Sequence, residues 1–401
     1  MRYAKQELAK GWKQENLQNS HIVVTGSNNL ASFILADLTA MGFGKITRIG
    51  ENSLQFLDFY NMNPDTEFEE IQGEVLNEEL AKDYIGKPDF FVDASEGREK
   101  QICIGYAIKN SIQAISASCS KESYKIKVIK KNESLDEIIN FHKNEKNNGI
   151  INAIIASGIT ADEIRKRIMP LPDDKTLSRL SASNLEDKIN KKVLLVGAGA
   201  IGTFAGIGLA MAGADVDVID FDNVEESNLN RQILFYNSVG KYKAEVMAEK
   251  LSKLGNFKGI VRKVDENYKL EKYYEIILSC VDNAKARYYL DWLSYKTKTP
   301  LLNSGTSFIQ GSVMPYIPGK TACLDCQGFG MLSQTKDKEE VGSCYEPTTI
   351  ISNQITGALL VNQINKMHED TATIKYNSNR GIEKVLTLRN CLAGCEKNGE
   401  K

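Results

Sequence analysis

In the middle of the chain, two short apolar runs flank a longer apolar segment that begins at a glycine-rich turn. A short apolar run at residues 193–196 gives way to a glycine-rich turn, and an apolar segment rich in Ala, Gly and Leu follows. A second apolar run, residues 216–219, ends at Asp220. Short continuous apolar runs bounded by glycine are typical of buried parallel strands, and the longer segment is typical of a helix. The pattern predicts the strand–turn–helix–strand unit of a doubly wound α/β sheet.

The glycine turn has the spacing of a mononucleotide-binding loop. Gly197, Gly199 and Gly202 let the backbone turn sharply and approach phosphates, and the following helix offers free N–H groups at its positive end. Asp220 lies at the end of the next strand, where a carboxylate can accept hydrogen bonds from ribose hydroxyls. By itself this pattern predicts a nucleotide site and does not distinguish among NAD, FAD and ATP.

The polar residues that follow the second strand favour ATP. They are Asp222, Asn228, Arg231, Lys243 and, after a further apolar run at 276–280, Asp282. A hydride-transfer site has no need of them, because the pyrophosphate of a dinucleotide is not cleaved. Cleavage of a triphosphate needs cations that stabilise developing charge and a carboxylate that holds Mg²⁺. The same set argues against an NAD-dependent oxidoreductase and against an inactive nucleotide-binding scaffold.

The segment from Asp220 to Gln232 has the pattern D-x-D-x-V-x-x-S-N-L-N-R-Q. It resembles the ubiquitin-activating-like adenylyltransferases, which include ThiF, MoeB and HesA, and the wider resemblance runs over roughly residues 176–395. The resemblance implies that ATP adenylylates a carboxylate, with Asp220 on the ribose, Asp222, Asn228, Arg231 and Lys243 around the phosphates, and Asp282 on Mg²⁺. The favoured substrate is the C-terminal glycine of a ubiquitin-like or sulfur-carrier protein. A small-molecule or peptide carboxylate is the alternative.

Two close pairs of cysteines lie in the C-terminal part of the sequence. They are Cys323 with Cys326 and Cys391 with Cys395. Four thiolates from two such pairs can form a tetrahedral structural zinc site, and spacers of two to four residues suffice. One pair alone could be a redox pair, but two pairs favour Zn²⁺, bound at a C-terminal hairpin.

A further cysteine, Cys344, precedes an apolar helix predicted from about residue 350. Relatives place a thioester- or persulfide-forming cysteine in this loop, and a thiolate near a helix N-terminus is stabilised by the helix dipole. Cys344 is therefore a candidate acyl acceptor, and an ordinary loop cysteine is the alternative.

The beginning of the chain repeats the strand–turn–helix–strand plan at residues 21–49 without its chemistry. Asn28 and Ala31 stand where the second and third glycines of the loop are expected, and Gly50 stands at the position of Asp220. We therefore predict two tandem Rossmann-like copies that form an internal pseudo-dimer: an inactive domain at 1–125, a connecting segment at 126–175 and an active domain at 176–401. In dimeric relatives a cation from one subunit reaches the ATP of the other, and here that residue is Lys5.

Composition adds little to this interpretation. The net charge of −2 in 401 residues gives no indication of nucleic acid or an anionic membrane as partner. The first residues lack a signal-peptide pattern, so the predicted location is the cytoplasm. The apolar run at residues 193–214 is long enough for a transmembrane helix, but its glycine spacing argues against one. Eight cysteines in such a chain point to metal binding or catalysis before disulfides.

Overall fold

The structure is a computed structural model that describes residues 2–130, 132–143, 145–183, 188–328, 346–392, 395 and 397. It contains two sheets, one in the N-terminal part (residues 2–183) and one in the C-terminal part (residues 188–397). Each sheet carries its own helices, and the two sets of helices meet in a shared core.

The N-terminal part follows an alternating order of strands and helices. Its elements are α1 (Gln14–Gln18), β1 (His21–Thr25), α2 (Asn29–Met41), β2 (Lys45–Ile49), α3 (Phe59–Met62), β3 (Glu67–Ile71), α4 (Glu78–Ile85), β4 (Phe90–Asp93), α5 (Gly97–Lys109), β5 (Ala114–Cys119), β6 (Ser123–Ile129), α6 (Leu135–His142), α7 (Ile151–Ile168) and β7 (Arg179–Ser183). The predicted connecting segment thus contains α6 and α7, and the domain boundaries at 125 and 175 remain predictions.

The C-terminal part repeats this alternation and ends in a hairpin. Its elements are β8 (Lys192–Val196), α8 (Ala200–Ala212), β9 (Asp215–Ile219), α9 (Lys243–Leu251), β10 (Asn256–Ile260), β11 (Ile276–Ser279), α10 (Ala284–Thr297), β12 (Leu301–Thr306), β13 (Gln310–Tyr316), α11 (Leu324–Gln327), α12 (Ile350–Gln363), β14 (Thr373–Asn377) and β15 (Gly381–Val385). Two short 3₁₀ turns, Glu226–Asn228 and Ile233–Phe235, lie between β9 and α9.

The two sheets have corresponding strand orders. The first runs β3-β2-β1-β4-β5-β6-β7 and the second runs β10-β9-β8-β11-β12-β13-β14-β15. In each, the first five strands in this order are parallel and the following strands are antiparallel. The strand order reverses between β1 and β4 and between β8 and β11, the point at which ligands of open α/β sheets bind. The prediction of Rossmann-like α/β sheets is confirmed, and the origin of the two parts by duplication remains a prediction.

Four largely buried helices, α2, α7, α8 and α12, form the layer between the sheets. Helix α7 packs on α2 and on α12, and α12 packs on α8. A Cβ atom at Gly357 in α12 would lie 2.7 Å from the carbonyl oxygen of Ile201 in α8, so only glycine allows this approach. Because α7 contacts helices of both parts, it joins them through one hydrophobic core. Among the described residues no helix is both long enough and apolar enough to cross a bilayer.

Candidate functional site

The loop after β8 turns sharply and needs glycine at two positions, because neither has room for a side chain. Gly197 has φ +98°, and a Cβ atom there would lie 2.7 Å from the carbonyl oxygen of Cys280. A Cβ atom at Gly202 would lie 2.0 Å from the carbonyl oxygen of Gly197. Any larger residue would therefore displace the backbone between the carboxyl ends of β8 and β11.

The remaining glycine of the loop, Gly199, leaves the N-terminus of α8 open. Gly199 is the N-cap residue and provides no side-chain cap. The nearest atom to a Cβ placed there, Nε2 of Gln232, is 4.0 Å away. The backbone N–H groups of the first turn therefore have no side-chain acceptor from the N-cap residue, and the positive end of the helix dipole is available to an anion.

The corresponding loop of the N-terminal part is closed by its own side chain. Gly26 has φ +125° and the same approach as Gly197, with a Cβ 2.7 Å from the carbonyl oxygen of Ala94. At the N-cap of α2, however, Asn28 accepts a hydrogen bond from the Ala31 N–H at 3.0 Å and donates one to the Ala94 carbonyl at 2.8 Å. The asparagine amide thus occupies the position that Gly199 leaves free.

A buried ion pair fills the strand ends next to this closed loop. Nζ of Lys100 in α5 lies 2.5 Å from the carboxylate of Asp93, and it also donates to Oγ of Ser116 at 3.0 Å. Asp93 pairs in register with Ser116, as Ser279 pairs with Asn303 in the C-terminal part. Sequence analysis missed this pair, since no periodicity links residues 93 and 100 to the end of β5.

Asp220 connects the end of β9 to the glycine loop. Its Oδ2 accepts a hydrogen bond from the Ala198 N–H at 2.7 Å and its Oδ1 accepts one from the Asp222 N–H at 2.8 Å. Burial raises the pKa of the Asp220 carboxyl, whereas nearby Lys243 and the two backbone donors lower it. The carboxylate is therefore fixed beside the open N-terminus of α8.

Lys243 begins α9 and points toward the same edge of the sheet. Its side chain is 9% exposed, and its Nζ lies 3.1 Å from Oδ2 of the exposed Asp222. The backbone N–H of Lys243 also donates to the carbonyl oxygen of Asp222 at 3.0 Å. A nearly buried cation is thus held next to the loop by a carboxylate that solvent reaches.

The turn between β9 and α9 holds Asn228 and Arg231. Oδ1 of Asn228 accepts a hydrogen bond from the Glu225 N–H at 3.0 Å, which completes a capping box. Nη1 of Arg231 donates to the Ser227 carbonyl at 2.6 Å and to Oδ1 of Asn230 at 2.7 Å. Burial lowers the pKa of Arg231 to about 10, while Glu225 raises it; the guanidinium is cationic at neutral pH.

Asp282 is exposed just beyond the end of β11. The loop that carries it is held by Arg287 in α10, which donates to the carbonyl oxygen of Val281 at 2.6 Å and to that of Ser304 at 2.5 Å. Arg287 also donates to Oδ1 of Asn303 at 2.8 Å. Burial lowers the pKa of Arg287. The Asp282 loop is thus fastened to the end of β12 while the Asp282 side chain stays accessible.

The N-terminal segment that contains Lys5 contacts the C-terminal part. The carbonyl oxygen of Lys5 accepts a hydrogen bond from the Thr348 N–H at 3.1 Å. Next to it, Oε1 of Gln6 accepts one from Nδ2 of Asn230 at 3.2 Å. Asn230 belongs to the S-N-L-N-R-Q motif, so the two parts meet at the predicted ATP site. Sequence analysis did not single out Gln6 or Asn230, because no local pattern predicts a contact over more than two hundred residues.

The four predicted zinc ligands come together. The sulfur atoms of Cys323, Cys326, Cys391 and Cys395 all lie within 4.8 Å of one another. The Sγ atoms of Cys323 and Cys395 are 3.8 Å apart, and four sulfurs placed tetrahedrally about 2.3 Å from one zinc ion would be separated by about 3.8 Å. The donor set and its spacing fit Zn²⁺. Cys344 lies outside the described residues, and its role remains a prediction.

The comparisons with known proteins agree with this arrangement. A family model described as the ThiF family matches residues 173–390. SUMO-activating enzyme subunit 2 of Dictyostelium discoideum is 32% identical over 157 residues, which are 37% of this chain and 24% of that protein. The NEDD8-activating enzyme E1 catalytic subunit of Arabidopsis thaliana is 32% identical over 164 residues, 36% of this chain and 36% of that protein. This chain thus spans about a quarter to a third of the length of these relatives.

Among solved structures, E. coli MccB with ATP matches with a TM-score of 0.41 and 23% identity over 50% of this chain and 66% of that chain. The family model covers more than half of the chain, and its match contains the glycine loop, the S-N-L-N-R-Q motif and Asp282. The chain therefore belongs to the ThiF family.

Proposed function

We propose that this chain is an ATP-dependent adenylyltransferase that activates a carboxylate. The observation that carries the proposal is the open N-terminus of α8, which lies beside a fixed carboxylate at Asp220 and on the same edge of the sheet as Lys243. The equivalent turn of α2 is closed by Asn28. Membership of the ThiF family supports the same assignment.

Each residue of the site has a distinct part in this proposal. The N–H groups at the start of α8 bind phosphate oxygens. Asp220 uses one lone pair of each oxygen on the backbone, and the remaining lone pairs accept hydrogen bonds from the ribose hydroxyls. Arg231 and Lys243 neutralise the triphosphate. Lys243 leaves the Asp222 carboxylate and binds a phosphate oxygen instead. Asn228 holds the turn that carries Arg231.

The reaction is a displacement at the α-phosphorus of ATP. An oxygen of the substrate carboxylate forms a bond to the α-phosphorus, and the bond from that phosphorus to the oxygen bridging the β-phosphate breaks. The products are an acyl adenylate and pyrophosphate. Asp282 would hold Mg²⁺, which would stabilise charge on the departing pyrophosphate. The cations supplied by the chain itself are Arg231 and Lys243.

The proposed substrate is the C-terminal glycine of a ubiquitin-like or sulfur-carrier protein. Support comes from the curated relatives, which are named as SUMO- and NEDD8-activating enzymes. A peptide or small-molecule carboxylate is the second candidate. Cys344 is proposed to accept the acyl group from the adenylate, in which case its thiolate displaces AMP.

The N-terminal part contributes to the proposed activity through its contact with the C-terminal part. The N-terminal part acts as an inactive partner of the C-terminal part in an internal pseudo-dimer, and Lys5 approaches the triphosphate from it. Corresponding strand orders and the equivalent approaches of Gly26 and Gly197 support this arrangement. The four-cysteine cluster would hold Zn²⁺ and would fasten the C-terminal tail to the loop before α11, as the bond from the Ala322 N–H to the Leu388 carbonyl already does at 2.8 Å.

ATP–pyrophosphate exchange tests the proposed function directly. Purified protein is incubated with ATP, Mg²⁺ and labelled pyrophosphate, together with candidate ubiquitin-like proteins in one arm and peptides or small acids in the other. We expect label to enter ATP only when the correct carboxylate is present. A protein that does not bind ATP at millimolar concentration contradicts the proposal. With an active carboxylate, Cys344→Ala should keep exchange and lose any thiol-sensitive acyl adduct.

A further inference from the structure

A chain of buried amides connects the N-terminal part to Arg231. Gln6 and Asn230 are both fully buried. Nδ2 of Asn230 donates to Oε1 of Gln6 at 3.2 Å, and Oδ1 of Asn230 accepts from Nη1 of Arg231 at 2.7 Å. The nitrogen of the Asn230 amide therefore contacts Gln6 and its oxygen contacts Arg231. The position of the Arg231 guanidinium is thus linked to Gln6.

Contacts within the N-terminal part determine which atoms of these amides donate and which accept. Nε2 of Gln6 donates to Oε1 of Gln14 at 2.6 Å and to the carbonyl oxygen of Met41 at 3.0 Å. Gln14 is held in turn by its own bond to the Met41 carbonyl at 2.9 Å and by Nε1 of Trp12 at 3.0 Å. With both donors of Gln6 used on this side, only its carbonyl oxygen is left to face Asn230. Asn230 must then donate to Gln6 and accept from Arg231.

The consequence is a fixed guanidinium. Nη1 of Arg231 is held at two points, by Oδ1 of Asn230 and by the Ser227 carbonyl. Among the described residues, none accepts a hydrogen bond from its Nε or Nη2, so these donors remain available to a ligand. A planar guanidinium held at one nitrogen loses little further freedom when the others bind two oxygens of an anion.

We propose that Gln6 is a positioning residue for ATP binding, acting through Asn230 on Arg231. The inference rests on the proposed function, because it takes the triphosphate as the anion that Arg231 binds. It assigns the N-terminal part a role beyond the predicted cation at Lys5: it orients a phosphate-binding side chain of the C-terminal part.

Binding of ATP and of adenosine to the full chain, measured by calorimetry, tests the proposal. Gln6→Met keeps the length of the side chain and removes the acceptor that faces Asn230, together with the donors to Gln14 and Met41. We expect ATP to bind about three- to tenfold more weakly. Adenosine, which has no phosphate, should bind with unchanged affinity. Tyr3→Phe is the matched control, since it removes the two buried hydrogen bonds between the Tyr3 hydroxyl and Asn63 in the same segment without touching Asn230.

A double variant tests the path. Asn230→Leu should weaken ATP binding at least as much as Gln6→Met, and adding Gln6→Met to it should change affinity by less than about twofold, because both act on one path. Asn230→Leu also gives the ATP–adenosine comparison if Gln6→Met does not fold. Equal loss of ATP and adenosine affinity, or multiplying losses in the double variant, would overturn the positioning role. Wild-type protein that binds no ATP would instead refute the proposed function itself.

Discussion

Gly199→Asn should transfer the closed N-terminus of α2 to α8. In the N-terminal part, Asn28 accepts from the N–H three residues further on and donates to the carbonyl after β4. The equivalent partners in the C-terminal part are the Gly202 N–H and the Cys280 carbonyl. There is room for a side chain, because among the described residues outside the loop and helix backbone only Nε2 of Gln232 comes within 4.0 Å of a Cβ on Gly199. The backbone there has φ −70°, so the substitution brings no strain of positive φ.

The substitution should leave folding stability unchanged or slightly higher and should weaken ATP binding. An asparagine N-cap is better than a glycine N-cap by a few tenths of a kcal/mol, about 0.3 kcal/mol, so the thermal midpoint should stay the same or rise slightly. The Gly202 N–H would no longer be free for a phosphate oxygen. A hydrogen bond to a charged group contributes about 1.5–3 kcal/mol, and loss of one such bond corresponds to ATP binding that is weaker by a factor of about 10 to 150.

Calorimetric titration with ATP and thermal unfolding measure the two effects on one preparation. Asn28→Gly is the matched control, since it opens the turn of α2 and should lower stability slightly without changing ATP affinity or the stoichiometry of one nucleotide per chain. A folded Gly199→Asn protein that binds ATP as tightly as wild type would refute the placement of the phosphates at the N-terminus of α8.

Four other substitutions test the magnesium ligand, the cysteine cluster, the N-terminal segment and a buried carboxyl in α2. Asp282→Ala should lower ATP–pyrophosphate exchange by a factor on the order of 100 to 1000, whereas Glu96→Ala, at the exposed position after β4, should leave it unchanged; equal rates in both variants contradict the Mg²⁺ assignment. Cys323→Ser should reduce the zinc measured by elemental analysis from about one ion per chain to near zero and lower Tm, and folded, active protein without zinc is the opposing result. Lys5→Ala should weaken ATP binding about tenfold in titrations, and wild-type affinity would separate the N-terminal segment from the site. Burial raises the pKa of Asp37 well above its usual range, so this group lowers stability as pH rises above about 3.9, the pKa of the unfolded chain; Asp37→Asn should raise Tm at pH 7 and flatten its pH dependence, and an unchanged profile would place the carboxyl in contact with water.

Much of the site could be predicted because its chemistry is local in sequence. The turn at Gly197 could be predicted from the short buried strand that ends in glycine, and the close approach of the Cys280 carbonyl explains why glycine is needed there. Asp220 follows from the end of the next strand, and parallel strands bring such ends to one edge of the sheet. The cysteine cluster could be predicted for a similar reason, since two pairs with short spacers can supply four thiolates to one zinc ion.

The remaining features depend on contacts that sequence spacing does not encode. Asn28 was recognised as a missing glycine, but its role as an N-cap that closes the turn required its hydrogen bonds to Ala31 and Ala94. The bond between Gln6 and Asn230 joins segments that are more than two hundred residues apart in the sequence and that meet only where the two parts pack together. Arg287 holds the Asp282 loop through three hydrogen bonds that only the structure shows.

The two loops also differ in which side chain joins the loop to the second strand, and this makes the N-terminal loop difficult to reactivate. In the C-terminal part the strand supplies Asp220, which accepts from the loop N–H of Ala198. In the N-terminal part the loop supplies Ser27, whose Oγ accepts from the Glu51 N–H at 2.9 Å. A Cβ atom at Gly50 would lie 2.7 Å from that Oγ, and Gly50 has φ +123°. An aspartate placed there would be strained and would collide with Ser27. Asn28→Gly alone therefore opens a turn that has no carboxylate for a ribose, and we expect it to bind no second nucleotide.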